Sequence, residues 1–414
     1  MNRLINRLPF YYGWVIVFTA GLSMFVRNAA GSLTIAVFVY PMEADLGWSR
    51  TEIAGAASLG GLLSIVGAPV TGWACDKFGV RWVLLVGVFL LGITTISLSW
   101  ATVLVAFYAA FGFGRLLFTG PIPIGASVVV SRWFVKMRGR ANGILFFCHA
   151  VGMAVFPYVA FIFIQARGWQ QAWILLGAMV WIFALLPVLM FIRQSPEDLG
   201  LLPDGDTSHQ SADEMVQGTS EEPKWNVREA IGTKSLWLLA IGTGFLYLIQ
   251  SGTNMHQGAY FIDQGLSLKV SALAVSGSGV MAGVGTLAWG WLAEKVPVRF
   301  AFAAVALVIA LSIGLFPQAD TNIEALAYAG LFGVGVAGML VVPPVAYADY
   351  FGRSSLGAIR GVTESMLAGG QAIGAVLSGY VFDVTGSYMS AFYGFAILGG
   401  ITVLMGLSAK APLK

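Results

Sequence analysis

Residues 72–81 read GWACDKFGVR, a charged turn set between two apolar runs. Residues 290–299 read GWLAEKVPVR, with Gly, Trp, an acid, Lys, Val and Arg at the same offsets. The second copy begins 218 residues after the first, at 290 against 72, in a chain of 414. A turn repeated at that distance makes the molecule two related halves.

The composition says where those halves reside. Charged residues make up 10% of the chain and hydrophobic ones 57%, with a mean hydropathy of +0.80. A soluble domain carries roughly 25% charged residues. Several apolar runs exceed the ~18 residues read as a membrane-crossing helix. The fold class is therefore an all-α polytopic membrane protein, and a soluble enzyme is excluded. The 52 glycines suit helices that pack closely in lipid. The net charge of +3 is spread over loops, which is no nucleic-acid surface. Cys75 and Cys148 suggest no disulfide framework. The start MNRLINRLPF resembles the basic region of a signal peptide. The apolar run after it exceeds a signal core of ~7–15 residues, so it reads as a retained first helix.

Six spans are predicted in the first half, at about 11–38, 53–75, 82–101, 103–131, 141–165 and 172–192. Six more follow at about 236–262, 271–293, 299–317, 323–348, 357–382 and 389–408. Residues 194–234 carry nine acids and three bases among Ser, Thr, Gly and Pro, which is linker composition. The expected domains are residues 1–193, a cytoplasmic linker 194–234, and residues 235–414. With both termini in the cytoplasm, 18 of the 23 Lys and Arg lie on that side, and only Arg50, Arg167 and Lys269 lie outside. The positive-inside rule selects this orientation, in a cell inner or plasma membrane.

The repeated turn resembles the signature G-x-x-x-D-[RK]-x-G-x-[RK] between helices 2 and 3 of the major facilitator superfamily. Six-plus-six helices and a central linker match that family over the whole chain. The stretches YYGWVIV (11–17), RWFVKMRGRANG (132–143), PEDLGLLPDG (196–205) and DVTGSY (383–388) resemble its monocarboxylate-porter-like branch. The resemblance implies alternating access, with two six-helix bundles rocking about a site at the membrane midplane. It makes Gly72, Asp76, Lys77, Gly79 and Arg81 candidate gating residues, with Glu294 and Arg299 from the second copy. Gly72 lets helices approach, and Asp76 suits a helix N-terminus. The alternative is a topology anchor without gating. The second copy departs from the signature at Glu294 and at Pro297, which stands where Gly79 stands, so less gating is expected of it.

Charges inside lipid cost about 2.5–3.5 kcal/mol at a helix centre on insertion scales and tend to be functional. Arg27, with Asn28 beside it, lies mid-way along span 1, and Arg115 mid-way along span 4. No acid shares their depth in that half. Two such arginines suit an anion, because the guanidinium fork matches a carboxylate. They also suit backbone carbonyls or a water path. Arg115 resembles an arginine found in helix 4 of proton-coupled members, which implies a coupling role. His149 in span 5 reads as a packing residue, or as a carboxylate partner or proton carrier. Gln250, Asn254, His256 and Tyr260 of span 7 are the candidate contacts from the second half, or polar glue between helices. Glu364 of span 11 pairs with Arg360 four residues earlier, or carries the proton. Monocarboxylate porters typically have an arginine in helix 8, where this chain has Thr286. Many also carry a lysine in helix 1, somewhat beyond the place of Arg27. Oxalate-exchanging relatives use a base in helix 11, where this chain offers Glu364.

The expected function is secondary transport of a small organic anion, a monocarboxylate with proton symport, by a monomer. The alternative is an exporter of neutral or hydrophobic compounds, favoured by the missing helix-8 arginine. A membrane sensor needs a folded signalling domain, for which the linker is too short. The chain has no Gly-Lys-[Ser/Thr] phosphate loop, no His-Glu-x-x-His pair and only three histidines. No cofactor or metal is expected, and an ion or substrate gradient must supply the energy.

Overall fold

The computed structural model describes residues 9–205 and 224–412. Residues 206–223, the greater part of the expected linker, lie outside the described residues. Among the described residues, eleven spans are long and apolar enough to cross a membrane. Arg50–Phe78, a helix of 29 residues, completes the set. In chain order the long helices are α1 (Gly13–Leu46), α2 (Arg50–Phe78), α3 (Val80–Ser97), α4 (Leu104–Trp133), α5 (Arg138–Arg167) and α6 (Trp169–Phe191). The second half has α7 (Lys234–Asp263), α8 (Leu268–Lys295), α9 (Val298–Leu315), α10 (Asn322–Phe351), α11 (Leu356–Thr385) and α12 (Met389–Ser408).

The helix ends follow local chemistry. Ser49 and Glu52 form a capping box at the start of α2, as Thr321 and Glu324 do for α10. The α2–α3 turn rests on Gly79 at φ +90°, a backbone region other residues rarely enter. Two helices break inside the membrane. In α1 the helix tightens into a short 3-10 turn at Arg27–Ala30, goes extended at Gly31 and resumes at Ser32. In α4 it stops at Thr119, turns at Gly120 and restarts at Pro121, which has no N–H to bond backwards. The predicted spans ran straight through both places, and span 1 ended early, since its helix continues to Leu46. Conversely, Pro343 and Pro344 do not break α10, which runs on for 30 residues.

Packing repeats with an offset of six helices. In the first half α1 lies on α5, α2 on α4 and α3 on α6; in the second α7 lies on α11, α8 on α10 and α9 on α12. The halves meet along two seams, α2 with α11 and α5 with α8. Gly370, Gly374 and Ser378 recur at every fourth position of α11 and face α7. A side chain on Gly370 would collide with the Gly244 carbonyl and one on Gly374 with the Leu248 carbonyl, and Ser378 Oγ donates to the Gly252 carbonyl at 3.3 Å. Filling that contact forces the backbones apart. Gly374→Leu is expected to cost about 1–3 kcal/mol of overpacking and to lower the unfolding temperature in detergent. Val376→Leu on the exposed side of α11 is expected to leave it unchanged.

Candidate functional site

The repeated turns build the closed end of the molecule. Asp76 does not cap its own helix. Its carboxylate reaches across the seam to the N-terminus of α11, where it accepts from Gly357 N at 3.1 Å and Ala358 N at 2.7 Å. Arg132 Nη2 donates to the same group at 3.1 Å. A helix N-terminus carries partial positive charge and free N–H groups, so a carboxylate is stabilised there. Gly72 makes this possible, because a β-carbon would strike the Gly357 carbonyl. The second copy repeats the arrangement. Glu294 accepts from Arg140 N and Arg140 Nε, both at 2.7 Å, in the first turn of α5. Gly290 and Gly139 are in backbone contact beside it. The longer Glu294 side chain thus makes the contact that Asp76 makes, and the structure gives the two copies equivalent contacts where the sequence ranks them unequally.

The other turn residues act locally. Lys77 Nζ lies 4.6 Å from the Trp73 ring, Arg81 Nη2 donates to the Leu189 carbonyl at 2.9 Å, and Arg299 lies over Phe300 at 4.5 Å. Further bonds across the closed end come from residues to which the sequence assigned no role. Arg138 pairs with Asp349 at 3.0 Å, and Arg353 donates to the Arg132 carbonyl at 2.9 Å and to Glu197 at 3.1 Å. Asp204, in the left-handed region at φ +61°, accepts from the backbone N–H groups of Val135, Lys136 and Met137. The runs RWFVKMRGRANG and PEDLGLLPDG hold all of these residues except Asp349 and Arg353, and their dense charge was the signal.

Along the α5–α8 seam the halves touch at Gly139 and Gly290, at Gly143 and Thr286, and at Ala150 and Gly283. Gly279, on the same face of α8, meets nothing within 4 Å. The close contacts of this seam therefore gather toward the end of the repeated turns.

The two mid-membrane arginines hold each other's helix break. Arg27 Nη1 of α1 donates to the Phe118 carbonyl of α4 at 2.9 Å, and Arg115 Nη1 of α4 donates to the Ala30 carbonyl of α1 at 3.3 Å. Both guanidinium groups lie over the Phe118 ring, at 4.4 and 4.5 Å. Arg27 Nε also donates to His149 Nδ1 at 3.3 Å, and the Asn28 side-chain amide lies 3.1 Å from the same nitrogen. With two donors aimed at it, Nδ1 is the acceptor and the ring proton sits on Nε2. Facing them from the second half, Arg360 is hydrogen-bonded to Glu364. Glu364 and Tyr247 lie within electrostatic range of Arg27, and Glu364 and Tyr347 within range of Tyr247. Tyr247, Tyr347 and Phe118 were not singled out in the sequence; nothing in an apolar run marks one aromatic among many.

The remaining candidates lie elsewhere on α7. Gln250 is half-buried and Asn254 exposed. His256 packs on Tyr388 at 4.8 Å, and Tyr260 on Phe392 at 4.9 Å, both inside the second half.

Twelve long helices in two like sets, with cations buried mid-way along them, are the build of a membrane transporter. A profile of the Major Facilitator Superfamily matches residues 14–348 and 239–412, and the chain belongs to that superfamily. It is similar to monocarboxylate transporter 13 of Rattus norvegicus, at 26% identity over 96% of this chain and 89% of that protein. It is similar to monocarboxylate transporter 12-B of Danio rerio, at 22% identity over 96% of this chain and 87% of that one. Among solved structures it resembles the proton:xylose symporter XylE, with a TM-score of 0.69 and 15% identity over 95% and 94% of the two chains. The protein is an integral membrane transporter of that superfamily, similar in sequence to monocarboxylate transporters, and not an enzyme.

The Asp76 contact stabilises the closed end alone, so removing its charge shifts a population. Asp76→Asn is expected to cost that state about 1–2 kcal/mol, a factor of about 5–30 in the closed-to-open ratio. Spin labels at the exposed Phe78 and Phe300, one on each half, report the ratio as a distance distribution. Glu294→Gln is expected to act in the same direction.

Proposed function

We propose that the protein carries a small monocarboxylate together with a proton by alternating access. Residues 1–193 and 235–414 are the moving bundles, 194–234 is a cytoplasmic linker, and both termini face the cytoplasm. The shut end is then cytoplasmic, and the central site opens outward. Gly72, Asp76 and Glu294 form the gate, with Gly79 shaping the turn and Lys77, Arg81 and Arg299 anchoring it.

The observation that carries the anion reading is the pair of arginines over one ring. Their distances to Phe118 put the two positive charges at most about 9 Å apart, where they repel and an anion between them relieves the repulsion. Each guanidinium has five N–H donors. Arg27 spends one on a carbonyl and one on His149, and Arg115 one on a carbonyl, so both keep donors for a carboxylate. Holding the helix breaks and binding an anion are compatible roles. Asn28 and His149 orient Arg27. A second proton on His149 Nδ1 would face two donors, which favours the orienting role over proton carriage. Asn254, exposed on α7, and Gln250 are the contacts from the second bundle.

Proton coupling follows from the charge count. Arg27, Arg115 and Arg360 against Glu364 leave the centre with an excess of two positive charges. Protonating Glu364 raises that excess and favours an anion, and a bound anion in turn favours the proton. The two equilibria are linked reciprocally. Arg115, the second cation, sets how strongly.

Uptake of labelled lactate and pyruvate into proteoliposomes tests the assignment. Arg27→Ala and Arg115→Ala are each expected to lower saturable uptake at least tenfold. Glu364→Gln is expected to abolish the stimulation by an inward proton gradient while leaving lactate exchange at equal pH. Unchanged saturable uptake in both arginine variants would refute the site. Efflux of neutral compounds with no carboxylate uptake would favour an exporter, in which the arginines serve the helix breaks alone.

A further inference from the structure

α7 carries a polar face of which the central site uses Gln250 alone, at its inner end. Gln250, Thr253, Gln257 and Tyr260 follow one another at i, i+3, i+7 and i+10, along one side of the helix. Thr253, Gln257 and Tyr260 are 0%, 2% and 1% exposed. Gln250 Oε1, Thr253 Oγ1, Gln257 Oε1 and the Tyr260 hydroxyl are all buried with no hydrogen-bond partner among the described residues. On the other sides of the helix Ser251 donates to the Gln371 carbonyl at 2.8 Å and Asn254 is exposed, while His256, packed on Tyr388, also has a buried Nε2 without a partner among the described residues but stands alone on its side. Were the stripe glue between helices, its atoms would be bonded to those helices.

Buried polar atoms that the protein leaves unbonded are satisfied by water. The spacing suits it. Successive members rise by about 4.5–6 Å along the axis, and one water making two hydrogen bonds spans about 5–6 Å. The stripe begins one turn from Tyr247, which lies in the field of Glu364, and ends one turn short of the end of α7 at Asp263. From Tyr247 to Tyr260 the rise is about 20 Å, over half of a hydrocarbon core of about 30 Å.

We propose that Gln250, Thr253, Gln257 and Tyr260 hold a file of water that conducts protons between the outer end of α7 and Glu364. The inference rests on the reading that Glu364 takes the coupled proton. A hydronium ion at the Tyr260 end gives up one proton, each water passes one on, and the Glu364 carboxylate gains an O–H bond. The hydroxyls of Thr253 and Tyr260 relay protons, and the amides of Gln250 and Gln257 fix the waters without titrating. Arg360 is left with an unpaired charge, which adds to the positive field that draws an anion to Arg27 and Arg115. The groups facing Glu364 are Arg360 on its own helix, Tyr247 of α7, Tyr347 of α10 and Arg27 of α1. α2, packed along α11, carries its titratable groups only at its two ends. Anion and proton thus reach the centre separately, the anion between the bundles and the proton inside the second one.

Two measurements on the full chain test this. In proteoliposomes, Thr253→Val with Gln257→Leu is expected to slow lactate uptake driven by a proton gradient at least tenfold, with lactate exchange at equal pH within twofold of the unmodified protein. If Glu364→Gln loses gradient-driven uptake and the double variant keeps it, the file is wrong and the coupling reading stands. If Glu364→Gln keeps it, the coupling reading itself fails and the file goes with it. Independently of any substrate, hydroxyl-radical labelling in ¹⁸O water is expected to modify the buried Tyr260 at a rate within threefold of the exposed Tyr40, and at least fivefold more slowly in Gln257→Leu. A Tyr260 that stays unlabelled overturns the proposal.

Discussion

A helix that breaks inside a membrane exposes carbonyl groups that lipid cannot satisfy. In this protein α1 and α4 both break at that depth, and each is held by an arginine from the other. That exchange fixes the centre. It sets one guanidinium group from each helix against one aromatic ring, draws His149 and Asn28 around Arg27, and leaves N–H donors unspent. The cost of two buried cations is met partly by the carbonyls they bond and the ring they stack on; in the proposed function an anion supplies the rest.

The closed end uses the same economy at a different place. Each half presents a helix N-terminus, α5 in the first and α11 in the second, and each is met by an acid from the other half. These contacts exist only while the halves are together, so they bias a conformational equilibrium without fixing it. Glycine pairs at the two crossings set how close the backbones come. Arg132, Arg138 and Arg353 extend the bonding between the carboxylates.

Much of this was legible in the chain. The repeated turn at 72–81 and 290–299 gave the two-fold plan, and the helix-8-to-helix-5 crossing is its second expression. The depth of Arg27 and Arg115 marked the centre, because a charge in an apolar run stands out. The pairing of Glu364 with Arg360 followed from their spacing of four. Other features had no local signature. The breaks at Gly31 and Gly120 are set by tertiary bonds from distant arginines, and glycine alone is common in such a chain. Glu294 was ranked below Asp76 because it departs from the motif, yet one extra methylene lets it reach the same kind of helix end. The weight placed on His256 and Tyr260 came from their residue types; which side of α7 they occupy depends on how α11 and α12 pack.

The central claim is that an anion sits between Arg27 and Arg115, facing Tyr247 and Glu364. The most direct measurement is a structure of the protein determined with lactate at saturating concentration. Density for a carboxylate within hydrogen-bond distance of both guanidinium groups, absent without lactate, is the predicted result. Lactate bound elsewhere, or arginines bonded to backbone alone while lactate is demonstrably transported, would contradict it.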